Sequence, residues 1–234
     1  MSRNLSFVVL LFFTFSGILF LEGFGSFPVD TKAKSIVDSM CAQAKHYSTI
    51  TAHVMMTSID PKGDTLWIRN DNLQLKQNKI ALSIHFSLKD SSQDYEYYFN
   101  GKEAYLYFLQ KNEAVLDTTI SYKYDSISRR PEQSYKIFTG FCNTYKPSFA
   151  GEKVINGRTY VLVNLYPDEP RIRSFNSVKL IIDKETNQLS HCEFLGKNGS
   201  KVVYDVLDMT PNLEIDDNAF EFDPLSHPGV KVRR

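Results

Sequence analysis

The chain changes its hydrophobic period near residue 48, after a single amphipathic segment. Between residues 33 and 44, apolar side chains recur at spacings of three and four, which places them on one face of a helix. Asp30 or Thr31 can cap the start of that helix, because their side-chain oxygens accept hydrogen bonds from free backbone amides. The apolar face comprises Ala33, Ile36, Val37, Met40, Cys41 and Ala44. We therefore predict a helix that buries one side.

From Ser48 onwards the chain consists of short segments rich in β-branched and aromatic residues, which indicates strands. Turn residues separate them, for example Pro61 to Asp64 and the hairpin pair Asn100-Gly101. Connections this short join antiparallel neighbours. The predicted strands of the first half are TITAHVMMTSI, DTLWIR, DNLQLKQ, KIALSIHF, YEYYF and EAYLYFL.

The strand pattern breaks between residues 121 and 145 and then resumes. Pro131 can open a second helix in this break, since proline is favoured in the first turn. The apolar side of that helix would carry Ile137, Phe138, Phe141, Cys142 and Tyr145. The later predicted strands are GEKVING, RTYVLVNLY, SVKLIID, QLSHCEFL and SKVVYDVLD. A meander of about ten strands with two helices predicts a mostly β (α+β) fold, a curved antiparallel sheet or open barrel with the helices on its concave side.

Residues 1–25 have the layout of a secretory signal peptide, with a positive start at Arg3, an apolar run and small residues before Ser26. The apolar run has 16 residues, fewer than the roughly 18 to 20 that a membrane-spanning helix needs. We therefore expect cleavage rather than a retained anchor. The mature chain is expected to form one exported domain over residues 26–234.

Candidate chemistry is sparse along the chain. Basic and acidic residues number 27 each, so there is no basic footprint of the kind that nucleic acid binding leaves. The five histidines are scattered without zinc-site spacing, and we expect neither a metal nor a cofactor. There is no G-x-S-x-G elbow, and Asp216-Asp217 is interpreted as a solvated turn. We expect no enzyme, with a hydrolase that uses Cys142 and a distant histidine as the alternative.

The three cysteines allow two interpretations. Cys41, Cys142 and Cys192 are widely separated, and each stands among apolar or aromatic neighbours. Their odd number and surroundings favour buried thiols. One disulfide with a spare thiol is the alternative.

Aromatic residues are concentrated in YEYYF and EAYLYFL, where large side chains occupy both faces of the predicted strands. One face can fill the core, and the other can then meet a ligand or a partner. Core filling alone is equally consistent with this pattern.

Three motifs carry a resemblance to a known family. Phe220 and Phe222 form an F-x-F pair near the C-terminus, and Pro228 to Val230 form a proline-glycine-valine sequence after it. The segment YYFNGKEAYLYF places a polar turn before an aromatic strand. With the order helix, strands, central helix, strands, the mature chain resembles the LolA family of periplasmic outer-membrane lipoprotein carriers. It departs from that family at Lys76 to Lys79, where an arginine-proline is usual, and at Asn100, which replaces an aspartate.

The resemblance implies an incomplete antiparallel barrel whose helices form a lid over an apolar cavity. It implies a periplasmic chaperone that binds the acyl chains of lipoproteins and moves them from the inner to the outer membrane. Its partners would be acylated lipoproteins or lipids, inner-membrane release machinery and an outer-membrane acceptor.

Strand alternation and the matched positions together assign the residues of the expected cavity. The lining would be Leu73, Leu75, Leu82, Ile84, Tyr105, Tyr107, Val161, Val163, Leu165, Val178, Leu180 and Ile182. The lid would contribute Ile137, Phe138 and Phe141. A register shift of one residue moves every side chain of a strand to the other face of the sheet, so the inward face of each strand is predicted separately.

Two other functions remain open at this point. A LolA-like protein can bind another lipid or glycolipid, or sense mislocalised lipoproteins. A non-enzymatic periplasmic interaction module would use its apolar face as a partner surface and would have a solid core.

Overall fold

The structure of the protein is a computed structural model that describes residues 30–88, 90–117, 136–142 and 144–233. The predicted signal peptide, residues 1–25, and the predicted helix start at Pro131 lie outside these ranges. No helix within the described ranges is long and apolar enough to span a membrane.

Helix α1 spans Thr31–His46 and begins where the sequence predicts. Asp30 is its N-cap: one carboxylate oxygen accepts from the Ala33 N–H at 2.9 Å, and the other accepts from the Phe149 N–H at 2.7 Å. These two hydrogen bonds hold the pKa of Asp30 below its ordinary value. The helix buries Ala33, Val37, Met40 and Cys41. The predicted apolar face is therefore confirmed.

Helix α2 is a single turn, Lys136–Thr139, and Gly140 follows it directly. Phe141 lies in the turn after the helix, and Tyr145 begins a strand. The prediction that the apolar helix face extends to Tyr145 is therefore wrong.

The described strands form one twelve-stranded sheet. They are β1 Thr49–Ile59, β2 Thr65–Lys76, β3 Lys79–Leu88, β4 Ser91–Phe99, β5 Ala104–Phe108, β6 Glu113–Leu116, β7 Tyr145–Ile155, β8 Arg158–Pro167, β9 Phe175–Asp183, β10 Leu189–Gly196, β11 Lys201–Pro211 and β12 Lys231–Arg233. Their spatial order is β12-β6-β5-β4-β3-β2-β1-β11-β10-β9-β8-β7. Among these strands only β12 runs parallel to its neighbour. Strands β12 and β7 stand at opposite ends of this order and do not pair with each other, so the sheet does not close. It is the predicted incomplete barrel.

The sequence prediction is wrong about the number of strands in the region of β2. DTLWIR and DNLQLKQ were expected to be two strands, but β2 runs without a break through Asn70, Asp71 and Asn72. Consecutive Asn and Asp residues are typical of turns. Here Asp71 is instead buried and paired with Arg69, so the strand continues.

One face of the sheet, termed the inner face, holds the main apolar core. A cross-strand row on this face runs from β8 to β1 through Val163, Leu180, Cys192, Tyr204 and Met56. Helix α1 lies against β7. Together with Phe138 and Phe141 after it in the chain, α1 packs into the same core. The helical elements therefore cover the inner face, as the sequence predicts.

Residues 212–233 are termed the C-terminal strap, and its middle part, with Ala219 and Phe222, lies on the opposite, outer face. Asp217 bridges two lysines at the turn between β2 and β3, with its carboxylate oxygens 2.8 Å from Lys76 Nζ and 2.7 Å from Lys79 Nζ. Further along the strap, the Phe222 ring stacks on Tyr105 of β5 with the ring centroids 5.5 Å apart. The strap ends as β12, which adds an edge strand to the sheet.

We expect Asp217→Asn to lower the stability of the protein at neutral pH, with the loss shrinking in acid. Hydrogen bonds from Lys76 and Lys79 lower the pKa of Asp217 from 3.8 to about 2. A carboxyl group with a lowered folded-state pKa contributes stability above its unfolded pKa and loses it as the pH falls towards the folded pKa. Urea unfolding at pH 6 and at pH 2.5 measures the difference. The exposed Glu214→Gln is the control, and an Asp217→Asn effect that is equal at both pH values would contradict the ion-pair account.

Candidate functional site

The inner face brings together thirteen of the fifteen side chains that the sequence assigned to the cavity and its lid. Buried in the main core are Leu73, Leu82, Ile84, Ile137, Phe138, Phe141, Val161, Val163, Leu165, Val178, Leu180 and Ile182. Leu75 packs against them and is partly buried. Their common location follows from the strand register, and contact between these residues and a ligand stays a prediction.

Tyr105 and Tyr107 lie on the outer face, so their assignment to the inner face is corrected. On β5 the inward positions belong to Ala104 and Leu106, and Leu106 stands opposite the buried Tyr97 of β4. Tyr105 and Tyr107 instead pack with Phe222 of the strap. The sequence could not resolve this strand because large side chains occupy both of its faces.

A disulfide connects α1 to the chain segment that carries Phe138 and Phe141. Cys41 on α1 is bonded to Cys142, and Cys192 is free and buried. The preferred interpretation of three buried thiols is therefore wrong, and the alternative of one disulfide with a spare thiol is right. The bond spans a sequence separation of 101, and no local pattern indicates such a pairing.

Neither Cys142 nor Cys192 can serve as a thiolate nucleophile in this structure. Cys142 cannot act as a thiol nucleophile because its sulfur is bonded to Cys41. Burial raises the pKa of Cys192 well above its ordinary value, which keeps it a thiol and chemically inert. Within the described ranges, no cluster of three or more His, Cys, Asp or Glu side chains is arranged to hold a metal ion.

A groove of about 470 Å³ opens beside α1 and reaches the inner face. Val161 and Ile182, two of the predicted lining residues, form part of its walls together with Ile36 of α1. Lysines and a glutamate stand at its rim: Lys184 Nζ is 2.8 Å from Glu152, and Lys32 Nζ is 3.8 Å from the same carboxylate. The groove is thus an apolar opening with a charged rim, and Ile36 was not among the predicted lining or lid residues.

The inner face also contains a buried ion pair. Arg69 Nη2 lies 2.6 Å from Asp71 Oδ2, and the two residues are 2% and 0% exposed. Both side chains come from β2, in the middle of the sheet, and they are two residues apart on the same face. The only signal in the sequence was the presence of charged residues at inward positions of an alternating strand, and the sequence prediction divided the chain there into two strands.

Two tyrosines flank this ion pair. Tyr204 on β11 stands across Met56 from Arg69, and Tyr95 on β4 stands across Ile84 from Asp71. Burial raises the pKa of Tyr204, and burial also raises the pKa of Tyr95 against the opposing effect of Arg69. For Arg69, burial alone would lower the pKa, but Asp71 outweighs it and the pKa is raised. Neutral hydroxyls therefore accompany a charged guanidinium on this face.

Comparison with known proteins finds similarity at the level of structure. No protein-family model matches the sequence, and neither does any curated protein. An uncharacterized conserved protein from Thermus thermophilus has a TM-score of 0.52 at 14% identity, over 87% of this chain and 99% of that one. The lipoprotein LppX from Mycobacterium tuberculosis has a TM-score of 0.49 at 11% identity, over 80% of this chain and 98% of that one. A LolA superfamily protein from Nitrosomonas europaea has a TM-score of 0.37 at 14% identity, over 80% of this chain and 97% of that one.

At 14% identity, the similarity to the Thermus thermophilus protein shows the fold alone. Function on a shared fold resides in the site. What this protein binds must therefore follow from its own inner face.

Proposed function

We propose that the protein is a periplasmic carrier that binds the acyl chains of lipoproteins on its inner face and moves them from the inner to the outer membrane. It is exported by its signal peptide and catalyses no chemical step. Its partners are the release machinery of the inner membrane, which supplies the lipoprotein, and an acceptor at the outer membrane.

The predominantly apolar inner face of an open sheet is the observation that supports this proposal. Its inward side chains come from both arms of the sheet, including Leu82 on β3 and Leu180 on β9, and the α1 groove gives access to part of them. Each methylene of an acyl chain costs about 0.8 kcal/mol to expose to water. A chain of about 14 methylenes therefore requires about 11 kcal/mol of shielding, which only a large apolar surface supplies.

Release needs only a second apolar surface of higher affinity. A bound acyl chain that leaves this protein for an acceptor exchanges one apolar environment for another, so the hydrophobic free energy nearly cancels. The direction of transfer is then set by the difference in affinity between the two proteins.

Native mass spectrometry of the mature protein, purified gently from a periplasmic extract, tests the proposal directly. We expect a co-purifying acylated species, or a complex that forms after incubation with a synthetic diacylated lipopeptide. A clean apo mass that the lipopeptide does not change would overturn the carrier function. It would favour instead an interaction module with a solid core.

Ile36→Arg is expected to weaken lipopeptide binding about tenfold. Ile36 lines the α1 groove, and a guanidinium there excludes about two methylenes from the apolar wall, at a cost of about 1.6 kcal/mol. Displacement of a fluorescent fatty-acid probe measures the affinity. Ile172→Arg is the matched control, because Ile172 is 61% exposed in a surface 3₁₀ turn. Equal affinities for both variants would show that acyl chains do not enter through this groove.

A further inference from the structure

The rim of the α1 groove carries more positive than negative charge. Lys32 of α1 and Lys184, which directly follows β9, both approach Glu152 of β7, with their Nζ atoms 3.8 Å and 2.8 Å from its carboxylate. Glu152 is the only acidic residue among the described residues that line the groove. A single carboxylate neutralises one ammonium group, so the charge of the second is left over.

Both ammonium groups remain open to solvent. The side chains of Lys32 and Lys184 are 58% and 54% exposed. Each ammonium has three N–H donors, and Lys184 gives one of them to Glu152. Lys32 Nζ lies 3.4 Å from the centroid of the Phe149 ring, a cation–π contact that holds it at the rim. An anion at the rim can therefore accept hydrogen bonds from both lysines.

The carboxylate of Glu152 itself reports a positive potential at the rim. A hydrogen bond from Lys184 and the charges of Lys184 and Lys32 lower the pKa of Glu152, against the effect of desolvation. Another carboxylate that interacts with Lys32 is that of Asp30. Asp30 does not line the groove, and it already accepts from two backbone amides. Its charge weakens the potential of the rim but does not block access to Lys32.

Below the rim the groove is apolar. Its walls include Ile36 of α1 and the sheet residues Val161 and Ile182, which belong to the main core of the inner face. The volume of about 470 Å³ lies within the range of about 300 to 1,000 Å³ that is usual for small-molecule sites. Surplus positive charge thus stands directly beside an apolar surface. This combination suits an amphiphile, whose chain leaves water while its anionic head group stays at the hydrated rim.

We propose that the α1 groove binds a single-chain amphiphile whose oxyanion head group, a carboxylate or a phosphate, is held by Lys32 and Lys184. Its acyl chain lies against Ile36, Val161 and Ile182. Glu152 competes with the head group for the two lysines and is displaced when the oxyanion binds. This inference goes beyond the proposed function, because the ester and amide linkages of a lipoprotein's acyl chains are uncharged. It rests on that function in one respect, the binding of an acyl chain by the inner face.

Three probes with the same myristoyl chain test the head-group site. Myristoyl lysophosphatidylglycerol carries a phosphate and myristate carries a carboxylate, whereas monomyristoylglycerol is uncharged. Isothermal titration calorimetry below the critical micelle concentration measures their affinities for the mature protein. We expect at least one anionic probe to bind about fivefold more tightly than monomyristoylglycerol, the effect of an ion pair at an exposed rim. The tighter of the two anionic probes identifies the source of the oxyanion.

Removal of the two positive charges should abolish this preference. In Lys32→Met/Lys184→Met the affinity for the preferred anionic probe should fall about fivefold, and that for monomyristoylglycerol should stay within about twofold. Lys62→Met/Lys102→Met is the matched control, because it removes two lysines that are exposed in turns elsewhere and changes the net charge equally. A Lys32→Met/Lys184→Met variant that keeps the preference, or a control that loses it to the same extent, would overturn the site.

Glu152→Gln should change the affinity in the opposite direction. It removes the carboxylate that competes for the two lysines, so the preferred anionic probe should bind about twofold to fivefold more tightly. The affinity for monomyristoylglycerol should stay within about twofold. A carboxylate that only positions the lysines predicts no gain. An affinity for the anionic probe that stays the same or falls would therefore contradict the proposal.

The head-group site and the carrier function fail in different ways. A wild type that binds the diacylated lipopeptide but none of the three probes, or all three equally, overturns the site and leaves the carrier function intact. A wild type that binds neither the lipopeptide nor any probe contradicts the carrier function as well. Binding of an anionic probe without binding of the lipopeptide would support the site and contradict lipoprotein transport.

Discussion

Replacing Asp71 alone by leucine is expected to lower the free energy of unfolding by about 3 to 5 kcal/mol. The variant leaves the Arg69 guanidinium, which is 2% exposed, without the carboxylate that lies 2.6 Å away in the wild type. The unfolded chain hydrates the guanidinium fully, so an uncompensated charge in the interior favours unfolding. Urea unfolding followed by the fluorescence of Trp67, the single tryptophan of the chain, measures the loss.

Two comparisons separate this effect from a simple loss of contact. Arg69→Met/Asp71→Leu removes both charges and should be within about 1.5 kcal/mol of the wild type, or more stable. Asp38→Leu removes the partner of Lys34 from an ion pair of the same 2.6 Å length that is exposed to solvent. It should cost less than about 1 kcal/mol. An Asp71→Leu variant as stable as Asp38→Leu would show that the buried guanidinium does not depend on Asp71.

The sequence predicted the inner face well wherever apolar and polar residues alternate. On β3, β8 and β9 the inward Leu82, Val163 and Leu180 each stand next to a polar neighbour, Ser83, Asn164 and Lys179. Only one register buries the apolar set on such strands, so the face follows from the pattern. The N-cap at Asp30 was predictable for a similar reason, because a local hydrogen bond determines it.

Alternation does not predict the inward face of strand β5. Tyr105, Leu106 and Tyr107 are all large and partly apolar, so alternation does not distinguish the two faces. The distinction comes from Phe222, more than a hundred residues later, which covers the outer side of the strand. Contacts between segments this far apart in the chain have no local signature.

The buried ion pair was missed for the opposite reason. Arg69 and Asp71 stand at inward positions, where the alternation rule expects apolar residues, and the neighbouring Asn70 and Asn72 favour a turn. Because the two charges pair with each other, they can occupy buried inward positions that alternation assigns to apolar residues.

Loss of the disulfide is expected to lower the free energy of unfolding by about 4 kcal/mol. The bond between Cys41 and Cys142 closes a loop with a sequence separation of 101. Such a cross-link stabilises the fold by restricting the unfolded chain, and the effect grows with the length of the loop. Guanidinium unfolding of Cys41→Ala/Cys142→Ala beside the oxidised wild type measures the difference. A dithiol reductant should destabilise the wild type to a similar extent and leave the double variant unchanged.

Cys192 supplies the control for this prediction. Cys192→Ala removes a buried free thiol but keeps the disulfide, so the variant should remain sensitive to reductant. In denaturant without reductant, the wild type should show one reactive thiol, that of Cys192, and all three cysteines should react after reduction. Three reactive thiols before reduction, in protein taken from an oxidising compartment, would contradict the pairing. The tether between α1 and the segment with Phe138 and Phe141 would then be absent, and these two aromatic side chains would rest on packing alone to stay against the inner face.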